Sequence, residues 1–518
     1  MAIPLHGWTE PLRVASLRGD PSGVQDAGTA IQARLLPGMT TVTPNLRYVS
    51  LFAAVRYLRI EAGPSAEDDV LLRELWRRVE ALIAVSSVLH HGDGDEIPQG
   101  IVGRGFANKA ANEETVRLKT GLKSPPYNIY RGALGSLGLF DLAAESDPLY
   151  EGAKALGASW DPDQAGEIGS LLERGVLPQD LLRDDIASVA EAFCVCRVPD
   201  RSREQKELIN MLFGFGSRPN PPTFAEVEQD GVGMRSASLR LLLELVASSE
   251  DRQLENESMM GRILEPEMLR LSLTGPVMNS LLAWRWVAAR SFFERGWTLI
   301  FNRTLDLVGG AELGMPRPQL REAAENAYLS RHPNESVKDL RDEVRRKFHS
   351  SSWLIEQFAK GERRGCLQLM MAGLFAATED RDGHDLELLK TLFGDRAIPF
   401  SSEDRRLHDA LERSASAGEL YAEVSEDTLS QHVHVALRKM RQGNPDSLHV
   451  DFENGRWSVP KKALDWSPRP AGAFSRLDIG LGWATQLGLA SKIGQTFALT
   501  SLGRQILKRW DEENSHWA

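Results

Sequence analysis

The sequence predicts a mainly α fold, a multi-helix body followed by a small α+β module at the C-terminus. Apolar residues recur at three- and four-residue steps through most of the chain, the spacing of one helix face. Strand signals are nearly confined to the stretch after about residue 430. Pro and Gly clusters interrupt the helical pattern at 92–95, 218–222, 309–318 and 468–472, as turn formers do.

Amphipathic helices are expected over 48–62, 68–88, 111–120 and 127–137, then over 165–173, 178–193, 202–213 and 236–248. The series continues with 265–273, 277–307, 318–329, 337–359 and 362–377, and ends with 385–392 and 403–415. Within it, Trp284, Trp286, Phe292, Phe293, Trp297 and Phe301 alternate with Arg285, Arg290, Arg295 and Arg303. Stacking on nucleic-acid bases needs exposed rings. Trp286, Phe293, Trp297 and Phe301 share one helix face, so they are expected in a core instead. The pattern divides into an N-terminal helical domain (1–145), a central helical domain (146–420) and a C-terminal region (421–518).

The C-terminal region carries the most specific signals. Leu429, Val433, Leu437 and Met440 mark one face of a helix. Asn454-Gly455 is a type I′ hairpin turn, in which both positions need positive φ. That register sets Phe452 against Trp457 and Val450 against Val459. A second helix runs through Leu477, Leu481, Ala484 and Leu487, stopped by Gly488. A short strand at 489–490, a loop from Lys492 to Gln495, and a strand at 496–499 follow. Thr500 or Ser501 then caps a closing helix with Leu502, Ile506 and Trp510.

This order of helix, "LGLA", loop, "FALTSLG" and helix resembles the winged-helix domains of bacterial regulators, over about 35 residues. The resemblance implies that the helix before Gly488 lies near DNA and that the Lys492 loop is a wing. Winged helices also serve as protein-contact modules, and a fold does not fix a function.

Charge points the same way. From Gln431 to Trp510 there are twelve Lys and Arg against five Asp and Glu, in a chain of net charge −11. A basic end on an acidic body is what a region that meets a polyanion requires. The expected contacts with double-stranded DNA are Arg438, Lys439, Arg441, Arg456, Lys461, Lys462, Lys492 and Arg504. Between Ile101 and Arg131 lie six basic and two acidic residues, and Tyr127-Asn128-Ile129-Tyr130-Arg131 opens a helix after two prolines. A helix-turn-helix there would add Lys119, Lys123 and Arg131. An ordinary helical hairpin is the competing reading.

In the N-terminal third, Leu36-Pro37-Gly38, a Thr-rich run and Arg47-Tyr48 lead into a helix. These 25 or so residues resemble the opening of uncharacterised bacterial proteins found in phage-defence and DNA-modification neighbourhoods. The resemblance implies a multi-protein antiviral setting, not a mechanism.

Several classes of chemistry are disfavoured. Hydrophobic content of 42% and charged content of 26% are ordinary for a globular protein. The most apolar stretch, 281–301, is broken by Arg285, Arg290, Glu294 and Arg295, so no membrane partner is expected. Only Cys194, Cys196 and Cys366 occur, fitting a reduced, cytoplasmic setting. Cys194 and Cys196 are too close for an easy disulfide, and no second pair follows at zinc-ribbon spacing. His90 and His91 precede Gly92-Asp93-Gly94-Asp95, but neighbouring helix residues point apart, so an exposed polar turn is expected and not a metal site. Asp200 with Glu204 and Lys206 has the residue types of a magnesium nuclease, on a spacing too short for it. His432 and His434 lie on nearly opposed faces of a helix. Phosphate-loop and nucleophile-elbow motifs are missing.

The expectation is therefore a non-catalytic DNA-binding or DNA-sensing subunit of a bacterial multi-protein system, without metal or cofactor. A scaffold whose modules bind only protein is the alternative, and a diverged metal-dependent nuclease the third.

Overall fold

The computed structural model describes residues 25–40, 43–61, 69–92, 101–118, 126–139, 151–196, 198, 200, 202–215, 232–249, 256–271, 273, 275–311, 313–378, 408–413, 415–441, 448–460, 476–494 and 496–514. The protein is mainly helical, with small antiparallel sheets near its C-terminus. Two compact units interleave along the chain. One comprises 1–32, 254–273 and 278–475; the other comprises 33–253, 274–277 and 476–518.

The first unit is built on the long helix Gly275–Gly309, most of which belongs to it. Trp286, Phe293, Trp297 and Phe301 are buried, as their shared face required, and so are Trp284 and Phe292 on other sides of the helix. The long helix meets Arg363–Thr378 at unusually close range. A Cβ on Gly373 would fall 2.4 Å from the Ala289 carbonyl oxygen, and one on Gly296 would fall 2.4 Å from that of Cys366. Glycine on each helix lets the backbones touch. The expected helix over 337–359 is two helices, Val337–Lys347 and Ser351–Lys360. Ser350 ends the continuity because its hydroxyl accepts the Trp353 amide as an N-cap.

The hairpin has the expected register, Phe452 opposite Trp457, with Asn454 at φ 51° and Gly455 at φ 76°. A third strand unforeseen in the sequence, Met315–Pro316, pairs on its other side, Met315 opposite Trp457. Trp457 is thereby buried with Phe301, Leu305, Met315, Leu320, Leu429 and Val450. The hairpin is thus a lid on the long helix and on the helix Ala417–Arg441, which packs along Arg317–Leu329. Phe452, on the same strand face, stays 41% exposed.

The second unit contains Arg47–Glu61, Asp69–His91, Arg203–Phe213 and Val232–Ala247, together with the last two helices, Arg476–Gln486 and Ser501–Glu513. The expected helix over 111–120 is replaced by the helix Arg104–Ala110 and a strand, Thr115–Arg117, antiparallel to Asp180–Leu182. β-Branched Thr115 and Val116 suit that pairing, and Val116 is buried opposite Leu181. The strand partner also shortens the helix expected over 178–193 to Arg183–Ser188 and Ala190–Phe193.

The final segment is knitted to the start of this unit. The Trp483 indole donates to the Thr43 carbonyl at 3.1 Å. The Gln486 amide accepts from the Leu46 N–H and donates to the Pro44 carbonyl. Trp510 donates to the Ser236 hydroxyl, and Arg240 pairs with Asp511. Strands Ala490–Ile493 and Thr496–Leu499 form a tight hairpin. Lys492 therefore lies within a strand, opposite Phe497, and not in a loop. Gly488 is left-handed as expected, and Thr500 caps the closing helix by accepting the Gly503 amide.

Candidate functional site

The residues expected to meet DNA are distributed over both units. Arg438, Lys439 and Arg441 end the helix Ala417–Arg441, and Arg456 sits on the first unit's hairpin opposite Glu453. Lys492 and Arg504 lie on the second unit's hairpin and last helix, and Arg131 on its helix Pro126–Ser136. Lys119, Lys123, Lys461 and Lys462 lie outside the described residues. Arg441, Arg456, Lys492 and Arg504 are exposed, whereas Arg131 and Arg438 are half-buried. Lys439 is only 8% exposed, which removes it as a phosphate contact.

Burial also changes the role expected for the helix before Gly488. No residue of Arg476–Gln486 is exposed. Leu477, Gly480, Leu481, Trp483 and Ala484 are buried, and desolvation pulls Arg476 down to about 10. What stays exposed is the tip of the hairpin: the strand residues Lys492 and Ile493, the latter at 64%, and Gly494 beyond them. Lys492 makes no ion pair among the described residues. The last helix shows Arg504, Gln505 and Lys508 on its open face, then turns acidic. Lys508 pairs with Glu512, and Arg509 with Glu513.

A second constellation was not expected from the sequence. His90, His91, Cys194 and Cys196 come together in the second unit, with one ligand atom from each lying within 4.8 Å of the others. The two histidines occupy the last turn of Asp69–His91, and Gly92 stops that helix at φ 59°. Neighbouring side chains diverge along a helix flank but can both reach a point beyond its end. Their rings stand 4.9 Å apart and nearly perpendicular. The Cys194 Sγ lies 3.5 Å from the His91 Nε2. His90 is exposed, His91 and Cys196 half-buried and Cys194 buried, so the cluster opens to solvent on one side.

The loop that carries both cysteines is held by its surroundings. The Val195 amide donates to the Ser87 hydroxyl, one turn before His91. The Cys196 amide points at the Cys194 sulfur, 3.4 Å away. Behind the loop, the buried Arg47 guanidinium donates to the carbonyls of Glu191, Ala192 and Cys194 at 2.8, 3.0 and 2.7 Å. Arg47 also faces the buried Glu204 carboxylate at 3.5 Å, and that carboxylate accepts from the Ser50 hydroxyl. Glu204 is thus the counter-charge of Arg47, which accounts for it without nuclease chemistry.

The thiols divide one proton between them. Cys196, hydrogen-bonded by Cys194 and then by His91, is pulled down to about 5 against the opposing effect of burial. Cys194, the donor of that bond and more deeply buried, is pushed well above the usual thiol range. Cys196 is thus the sulfur of the pair held toward its thiolate, and a thiolate is the form that attacks electrophiles or ligates metals.

In the first unit, buried Glu426 pairs with both Arg317 and Arg321, and the buried His432 Nε2 accepts the His449 amide. These groups satisfy each other and read as structural. No family model, curated protein or solved structure matches the chain.

Proposed function

We propose that this chain is a non-catalytic DNA-binding subunit that contacts duplex backbone through the hairpin Ala490–Ile493/Thr496–Leu499 and the open face of its last helix. The observation that supports this reading best is the first strand of that hairpin, where Lys492 is exposed and makes no ion pair among the described residues. Arg504 adds an exposed cation on the helix that follows. Such contacts neutralise phosphates without reading bases, so affinity falls as salt rises. Arg441 and Arg456 offer the same chemistry on the other unit. The multi-protein antiviral setting implied by the N-terminal resemblance belongs to the same proposal.

The test is fluorescence anisotropy with a labelled duplex and the full-length protein at several salt concentrations. Each phosphate contact contributes a slope of about −0.9 in log K against log salt. Lys492→Glu should weaken binding across unrelated duplex sequences and flatten that slope by about one contact. Absent or salt-independent binding refutes the proposal, as does an unchanged Lys492→Glu protein. The scaffold alternative draws on Ile493, an apolar side chain 64% exposed beside Lys492. It is supported if Ile493→Ser abolishes capture of a partner protein while the chain shows no affinity for duplex.

A further inference from the structure

We infer that His90, His91, Cys194 and Cys196 are the four ligands of a single zinc ion that ties the end of the Asp69–His91 helix to the 194–196 loop. The donor set comes first in the argument. Two imidazoles and two thiolates are soft ligands that select zinc over magnesium or calcium, which take oxygen. Two thiolates also cancel the ion's charge, so the assembled site is neutral and tolerates partial burial.

The distances fit next. With Zn–S near 2.3 Å and Zn–N near 2.0 Å, a tetrahedron has edges of about 3.3–3.8 Å between ligand atoms. Cys194 Sγ and His91 Nε2 already lie 3.5 Å apart, the length of such an edge. The whole set spans 4.8 Å, so the widest separation contracts by about 1 Å on metal entry. The exposed His90 and half-buried Cys196 supply that movement by rotating their side chains, while buried Cys194 stays fixed.

Third, the backbone beneath the ligands is already set. Val195 is hydrogen-bonded to Ser87, and Arg47 grips the Cys194 carbonyl, so the loop is oriented from two sides. The Cys196 N–H directed at the Cys194 sulfur is an outer-shell bond that stabilises thiolate charge. On binding, the protons that the sulfurs hold are released to solvent and both sulfurs form Zn–S bonds, with no redox change.

Four protein ligands leave no open coordination position, so the role is structural. Zinc would close a loop of 103 residues, from His91 to Cys194. This inference is independent of DNA binding.

The test uses full-length protein without an affinity tag, purified without chelator and measured by inductively coupled plasma mass spectrometry. One zinc per chain is expected, falling to near zero in Cys196→Ser and in His91→Ala. Cobalt exchanged into the wild-type protein reports on the site without any variant. It should give the intense visible bands of tetrahedral cobalt and a thiolate charge-transfer band. Substoichiometric zinc in the wild type overturns the inference, and so does full zinc in both variants. A pale octahedral cobalt spectrum, or a Cys194–Cys196 disulfide in the intact mass, also overturns it.

Discussion

Replacing Arg47 by Met should open the second unit locally, and the size of the effect follows from what the guanidinium touches. Arg47 is buried, as is its counter-ion Glu204, 3.5 Å away. Methionine fills much of the same volume but donates to none of the three carbonyls at Glu191, Ala192 and Cys194. It also strands the Glu204 carboxylate in a dry site. Breaking a buried ion pair from one side costs about 3–5 kcal/mol. Each tenfold change is about 1.4 kcal/mol, so amide protection across 190–196 should fall by a factor of about a hundred or more. Hydrogen–deuterium exchange with peptide resolution reads this directly, and it isolates one segment in a chain with two units. Arg47→Met combined with Glu204→Gln should recover part of the loss, because the orphaned charge is gone. Unchanged protection in the single variant would refute the argument. So would a double variant worse than the sum of its parts.

Other outcomes are equally checkable. Gly373→Ala places a methyl 2.4 Å from the Ala289 oxygen, and the helices must part; a loss of about 1–3 kcal/mol in urea unfolding is expected. Trp483→Phe leaves the Thr43 carbonyl buried without its donor, at a cost of about 1–3 kcal/mol. In zinc-free protein, iodoacetamide should modify Cys196 first, since Cys194 and Cys366 are buried and burial pushes Cys366 up to about 12. Because Cys196 sits at about 5, it is already ionised across pH 6.5–8 and its rate should be flat there. An ordinary thiol near 8.5 would instead speed up about tenfold per pH unit below that value. A rate that climbs in that way would remove the thiolate.

Local signals in the sequence suffice where the chemistry is local. Asn454-Gly455 specifies both the turn and the pairing of Phe452 with Trp457, because both φ angles are set by two residues. The shared face of Trp286, Phe293, Trp297 and Phe301 likewise dictates burial. What failed to show is what depends on distant partners. The strand Thr115–Arg117 exists because Asp180–Leu182 supplies its ladder, and Met315 joins the hairpin from far upstream. Lys439 has the charge of a surface contact but lies on a helix flank that the fold covers. The His–Cys cluster is hidden in the sequence for two reasons. Its halves are 103 residues apart, and the divergence of adjacent side chains holds along a helix but not past its last turn. Cys-x-Cys and His-His pairs ending separate helices were the one sequence cue.

The hydrogen bonds from Trp483 and Gln486 to residues 43–46 span some 440 positions. During synthesis the early partner leaves the ribosome long before the late one exists. Until then Thr43, Pro44 and Leu46 have only water to answer them, and the side chains of Leu36, Leu239 and Leu242, which later lie beside Gly480, stand uncovered by that helix. Any premature stop upstream of Trp483 therefore produces more than a shortened tail. It yields a polypeptide whose earliest-made portion never closes, a ready target for chaperones and proteases.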